Sequence, residues 1–103
     1  TASVCIFEKN VTTKYGVILT SGVLLKEGCF LGPHSITLGS THERVTKHGT
    51  VIGRNTYIGA GSKIAADIKI GDNIVVGALG FVNKNLVKEG IYAGLPVKWI
   101  KEK

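Results

Sequence analysis

From Ile52 onward an aliphatic residue returns at every sixth position: Ile52, Ile58, Ile64, Ile70, Val76 and Val82. The residue after each is small or turn-prone, namely Gly53, Gly59, Ala65, Gly71, Gly77 and Asn83. Two residues ahead of the later aliphatics stand Thr56, Ser62, Ile68, Ile74 and Gly80. Upstream, Leu19, Leu25 and Leu31 keep the same period, with Val17, Val23 and Cys29 two residues ahead of them. Side chains alternate across a strand, so each aliphatic and the residue two before it face one interior. The residue between them, as at Tyr57, Lys63, Lys69 and Val75, is expected to face outward. A short strand and a turn repeated in one phase cannot fold as a meander of hairpins, whereas it can fold as a solenoid whose strands pair one coil away. A helix is excluded because six is not a multiple of about 3.6 and glycine recurs at the turns.

Two stretches depart from this rhythm. Leu31 and Leu38 are seven apart, which predicts one extra residue near Pro33 and His34. Between Leu38 and Ile52 the phase is lost, and residues 39–51 read as a loop expelled from the coil. The three histidines, His34, His42 and His48, lie in or beside this interruption, and solenoid insertions often carry function. After Val82 the repeat gives way to residues 84–103, expected to cap the stack with Trp99 and Ile100 covering its open end.

The 103 residues make a single domain, residues 1–103, and 44% hydrophobic against 19% charged residues excludes disorder. The uncharged run at residues 28–41 is too short and too rich in Gly, Pro and His to span a membrane. No basic-then-apolar leader opens the chain, and the lack of Met predicts that Thr1 is not the encoded start. A net charge of +6 suggests an anionic partner. Lys9, Lys14, Lys26, Lys47, Lys63 and Lys69 are scattered, and with aromatics at 7% a nucleic acid is not expected as that partner. Cys5 and Cys29 are too few for a disulfide scaffold or a zinc site. Cys29 falls in the apolar series and reads as a reduced core thiol, which places the protein in the cytoplasm.

Ile52-Gly53-Arg54-Asn55-Thr56-Tyr57-Ile58-Gly59-Ala60-Gly61, then Ile70-Gly71-Asp72-Asn73, then Ala93-Gly94-Leu95-Pro96-Val97-Lys98, resemble the hexapeptide-repeat acyltransferases. The likeness is to the serine acetyltransferase branch and its sugar and polysaccharide O-acetylating relatives. Ile36-Thr37-Leu38-Gly39-Ser40-Thr41 matches the stretch before that branch's active-site loop. The resemblance runs from about Leu31 to the C-terminus. It implies an all-β left-handed parallel β-helix with three walls per coil, assembled as a homotrimer with active sites between subunits. The handedness comes from the resemblance alone, since the general crossover rule gives the opposite hand.

The same resemblance implies an O-acetyltransferase that moves an acetyl group from acetyl-CoA to a hydroxyl of a small or sugar-like acceptor, in one ternary complex. A histidine would accept the acceptor's proton, a role suited to an imidazole with an ordinary pKa of about 6.5. No metal and no permanently bound cofactor is implied. The branch's base corresponds to Thr13, in Thr12-Thr13-Lys14-Tyr15-Gly16, and a threonine cannot accept a proton at neutral pH. The role therefore passes to His42, which follows Thr41 as in the galactoside and maltose acetyltransferases, or to His48, one residue off the branch's second histidine. His34 stands where the branch has a polar residue at the subunit cleft. Ala60 and Ala78 match turns where the pantetheine arm passes the backbone, and Lys98 matches a contact to a CoA phosphate. Each has a plain structural reading too: solvated loop histidines, small residues demanded by the coil, a cationic tail. Thr13 keeps open a non-catalytic solenoid that binds a partner or assembles. The zinc carbonic anhydrases of this coil fit poorly, because His34, His42 and His48 are too closely spaced to match their ligands.

Overall fold

The computed structural model describes residues 5–20, 22–38 and 49–103, and His42 and His48 lie outside them. Strands and turns account for the described residues, without a helix. The strands are β1 (Ile6–Phe7), β2 (Thr12–Thr13), β3 (Leu24–Leu25), β4 (Phe30–Leu31), β5 (Ile36–Thr37), β6 (Val51–Ile52), β7 (Tyr57–Ile58), β8 (Lys63–Ile64), β9 (Lys69–Ile70), β10 (Ile74–Val76), β11 (Phe81–Val82), β12 (Gly90–Gly94) and β13 (Val97–Lys101). They stack into three walls: β1-β3-β6-β9, then β2-β4-β7-β10-β12-β13, then β5-β8-β11. Pairing is parallel throughout except between β12 and β13. Partners are 18 residues apart within uninterrupted coils, as in Val51 with Lys69, and 27 apart in Leu24 with Val51. The interruption therefore adds nine residues to a coil of three hexads.

The sixth-position aliphatics fill the interior. Leu25, Leu31, Ile52, Ile58, Ile64, Ile70, Val76 and Val82 are buried, together with Cys29, Ile68 and Ile74 two residues ahead of their neighbours. Each such side chain contributes about 1.5–3 kcal/mol of burial. Interior polar groups are satisfied by corner carbonyls: Thr56 Oγ1 donates to Gly71 O at 2.7 Å, and Ser62 Oγ to Gly77 O at 3.1 Å. The corners turn through residues at positive φ. Asn10, Gly28, Asn55 and Asn73 do so between the first and second walls, and Gly16, His34, Gly61 and Leu79 between the second and third. Gly22 and Asp67 serve the corner from the third wall back to the first.

Three sequence expectations change. The residue six after Leu31 is Thr37, buried and paired with Ile64, whereas Leu38 is 40% exposed. No extra residue is inserted at Pro33 and His34, and the period survives because a threonine replaces the aliphatic. Thr37 is tolerated inside because its Oγ1 accepts the Thr20 N–H at 2.9 Å. The coil also resumes before residue 51: Thr50 is buried, Leu24 N–H donates to its carbonyl, and Val51 already lies in β6. At the C-terminal end Leu86, Tyr92 and Val97 join the core, while Trp99 and Ile100 stay 37% and 53% exposed. Trp99 packs at the side of β12, its Nε1 donating to Glu89 O and the Lys88 ammonium 3.7 Å from its ring centroid. Among the described residues no helix is long and apolar enough to cross a membrane.

Candidate active site

The corner between the second and third walls gathers the residues of chemical interest. Its successive rows are Tyr15-Gly16, Pro33-His34, Ala60-Gly61 and Ala78-Leu79, followed by Ala93-Gly94 at the end of β12. Backbone bonds lock the rows in register: His34 N–H donates to Tyr15 O at 3.1 Å, Gly61 N–H to Pro33 O at 2.9 Å, and Leu79 N–H to Ala60 O at 2.9 Å. A Cβ on Gly59 would meet the backbone of Ala78, and one on Gly32 the backbone of Ala60, so these positions admit only hydrogen. The result is an edge lined by backbone and by the methyls of Ala60 and Ala78, both exposed.

Different groups mark its two ends. At one, the exposed His34 ring meets Tyr15 edge-on, with centroids 4.9 Å apart and planes at 79°. A Cβ on Gly16 would collide with that imidazole, so glycine there makes room for it. At the other end Lys98 lies opposite Ala93 across the β12–β13 pair. Four strand spacings separate the His34 row from Lys98, roughly 19 Å. The neighbouring corner, between the first and second walls, is charged by contrast. It carries the Lys9–Glu27 ion pair at 3.8 Å, Asp72 accepting from Arg54 N–H, and Glu89 accepting from Asn73.

Ala60, Ala78 and Lys98, separated in sequence, thus share one edge with His34. The coil is left after Leu38 and resumed at Gly49, which packs on the Gly22 carbonyl at the third corner, a wall's width from the edge of Ala60 and Ala78. Thr13 is exposed on β2, paired with Leu31 and two residues from Tyr15. Cys29 is fully buried, and burial, with a smaller contribution from the Glu8 carboxylate, pushes its thiol up to about 11. It is a core thiol and no nucleophile. Among the described residues no group of three or more His, Cys, Asp or Glu could hold a metal ion. A shallow groove of about 260 Å³ on the first wall, lined by Lys26, Val51, Lys69, Asp72 and Leu86 among others, lies away from this edge. Tyr15 and Leu79 escaped the sequence reading. Counting along each hexad would have placed both beside Ala60 and Ala78, because the second and third residues after each sixth-position residue fall at a corner.

Residues 49–83 match the family model of the bacterial transferase hexapeptide (six repeats). No curated protein matches the chain. Among solved structures, a mutant perosamine N-acetyltransferase from Caulobacter crescentus, in complex with CoA and GDP-perosamine, is 21% identical with a TM-score of 0.64. The match covers 95% of this chain and 54% of that one. Neisseria gonorrhoeae serine acetyltransferase is 23% identical with a TM-score of 0.69, over 93% of this chain and 40% of that one. A maltose O-acetyltransferase from Clostridium difficile is 22% identical with a TM-score of 0.58, over 99% and 68% respectively. The chain spans about half the length of the perosamine enzyme and less of the serine enzyme. These likenesses establish a common fold.

Proposed function

We propose that this hexapeptide-repeat solenoid is an acetyl-CoA-dependent O-acetyltransferase acting on a hydroxyl of a small or sugar-like acceptor. The observation that carries the reading is the edge of small exposed residues, Ala60 and Ala78, that runs toward Lys98. A pantetheine arm is a narrow, uncharged chain with two amides, suited to a channel where small residues expose backbone, and a lysine at the end suits a CoA phosphate. Ala60 and Ala78 line the arm's path, and acetyl-CoA is a co-substrate, with no cofactor held permanently. The CoA bound in the perosamine enzyme of the same fold supports this.

In the proposed reaction His42 or His48 takes the acceptor hydroxyl's proton as the oxygen attacks the thioester carbonyl. Backbone amides steady the tetrahedral oxyanion. Collapse breaks the carbon–sulfur bond, and the imidazolium returns its proton to the departing thiolate. The ends of the interrupted segment, Leu38 and Gly49, and the edge of Ala60 and Ala78 belong to different corners of one chain. We therefore assign the active site to the junction of two copies in a left-handed β-helical homotrimer, one supplying the loop and the next the edge of Ala60 and Ala78. Two unpaired thiols, Cys5 and Cys29, fit a cytoplasmic setting.

Thiol release from acetyl-CoA, followed with serine, hexosides and oligosaccharides as acceptors, tests the reading. His42→Ala or His48→Ala should lose on the order of a hundredfold or more in rate. Thiol release untouched by both substitutions removes the base assignment. The second reading, a non-catalytic module of the same fold, rests on Thr13. Absence of both turnover and CoA binding would establish it.

A further inference from the structure

The first wall carries a recess of its own. Its outward column places Val51 beside Lys69, paired across β6 and β9, and then Asn85, whose Oδ1 accepts the Lys69 N–H at 2.8 Å. The adjoining column runs Lys26, Gly53, Gly71 and Val87, each one residue after the stacked Leu25, Ile52, Ile70 and Leu86. The two glycines leave the middle of that column without side chains, and a groove of about 260 Å³ results. Three strand spacings separate its ends at Lys26 and Val87, roughly 14 Å.

The lining is chemically mixed. Lys26, half-buried, and Lys69, exposed, bring two ammonium groups, and neither has an ion pair among the described residues. Asn85 spends its oxygen on the backbone, which leaves its amino group to donate. Asp72 gives Oδ1 to the Arg54 N–H at 2.7 Å, which leaves Oδ2 to accept. Val51 and Val87 add aliphatic surface, and the described lining includes no aromatic ring.

We infer that this groove binds one anionic unit of a saccharide, a pyranose bearing a carboxylate or a phosphate. The anion meets the two ammoniums through charge-assisted hydrogen bonds. Ring hydroxyls donate to Asp72 and accept from the Asn85 amide, while the C–H face of the ring lies on Val51 and Val87. A nucleotide would find no ring on which to stack its base, and an oligophosphate would bring several charges up to the Asp72 carboxylate. Small-molecule sites enclose most of their ligand, whereas this groove is shallow, which suits one unit of a longer chain. The site lies away from the edge of Ala60 and Ala78, so it stands independently of acetyl transfer.

Amide NMR shifts of the full chain, titrated with glucuronate, glucose 1-phosphate, glucose and inorganic phosphate, test this. Glucuronate or glucose 1-phosphate should move the amides of Lys26, Gly53, Gly71 and Val87 and leave those of Ala60 and Ala78 in place. Binding of either supports the site, and the tighter of the two identifies the anion. A Lys26→Gln, Lys69→Gln double variant should bind that sugar about tenfold or more weakly, with Lys103→Gln changed less than about twofold. Should the double variant fail to fold, the wild type decides, because two ammonium contacts require affinity to fall as sodium chloride rises. A salt-independent affinity, or an unchanged one in the folded double variant, overturns the inference. Glucose binding as tightly as the charged sugars overturns it too, as does inorganic phosphate binding equally well, which would leave a bare anion site. Absence of shifts at Gly53 and Gly71 with both charged sugars has the same consequence.

Discussion

Burial raises the Cys29 thiol from 9.0 to about 11, so the folded chain holds that proton more tightly than the unfolded chain. The resulting stabilisation is complete below about pH 9 and is lost as the pH climbs through about 11, a change of about 3 kcal/mol. Chemical denaturation across that window should therefore show a decline that Cys29→Ala flattens; parallel curves would contradict the assignment. Thr37 makes the opposite case, a polar side chain inside an aliphatic column. Thr37→Val keeps the shape but leaves the Thr20 N–H without its acceptor, so we expect a loss of about 1–2 kcal/mol, measured by urea titration, where hydropathy alone predicts a gain. Gly59 is constrained by closeness, since any Cβ there meets the Ala78 backbone. Gly59→Ala should cost about 1–3 kcal/mol and weaken acetyl-CoA binding, both checked on one purified variant.

A strand of two residues has little stability alone, and each becomes stable only by pairing 18 or 27 residues away. On β8, Ile64 is buried and Lys63 faces outward. Ile64→Ala should cost about 2–5 kcal/mol, against less than about 0.5 kcal/mol for Lys63→Ala. The C-terminal hairpin reverses the ranking suggested by residue size. Val97 is in the core and packs near Gly80, whereas Ile100 is half exposed on β13. Thermal unfolding should show Val97→Ala losing about 2 kcal/mol and Ile100→Ala almost nothing. The turn elements follow the same logic, glycine and asparagine supplying positive φ so that one tight corner can repeat.

At the scale of the molecule, the three corners differ in chemistry: one charged, one carrying Ala60, Ala78 and the Tyr15–His34 contact, one interrupted by the added segment. In a single copy the ends of the interruption, Leu38 and Gly49, stand a wall's width from the edge of Ala60 and Ala78, and the proposed trimer brings loop and edge together. This predicts complementation. A His42→Ala, His48→Ala double variant and an Ala78→Trp variant that obstructs the edge, each inactive alone, should regain activity when coexpressed, because some mixed junctions pair an intact loop with an intact edge. Mixed assemblies without recovered turnover would place each site within one chain.

The six-residue period, the interior identity of Ile52 through Val82 and the outward direction of Tyr57 and Lys63 were all legible from the chain alone. Alternation along a strand is local backbone geometry that side-chain hydrophobicity reports directly. Thr37 was misread because the pattern was sought in aliphatics, and a threonine can occupy such a place once a neighbouring amide supplies its partner. Trp99 and Ile100, expected to cover the end of the stack, stay partly exposed, because residue size says nothing about which side of a terminal strand meets the core. The alignment of His34 and Lys98 with Ala60, Ala78 and Leu79 along one edge belongs to the tertiary structure alone. It depends on how a coil lengthened by nine residues returns to register and where β13 reverses, and no short stretch of sequence encodes either.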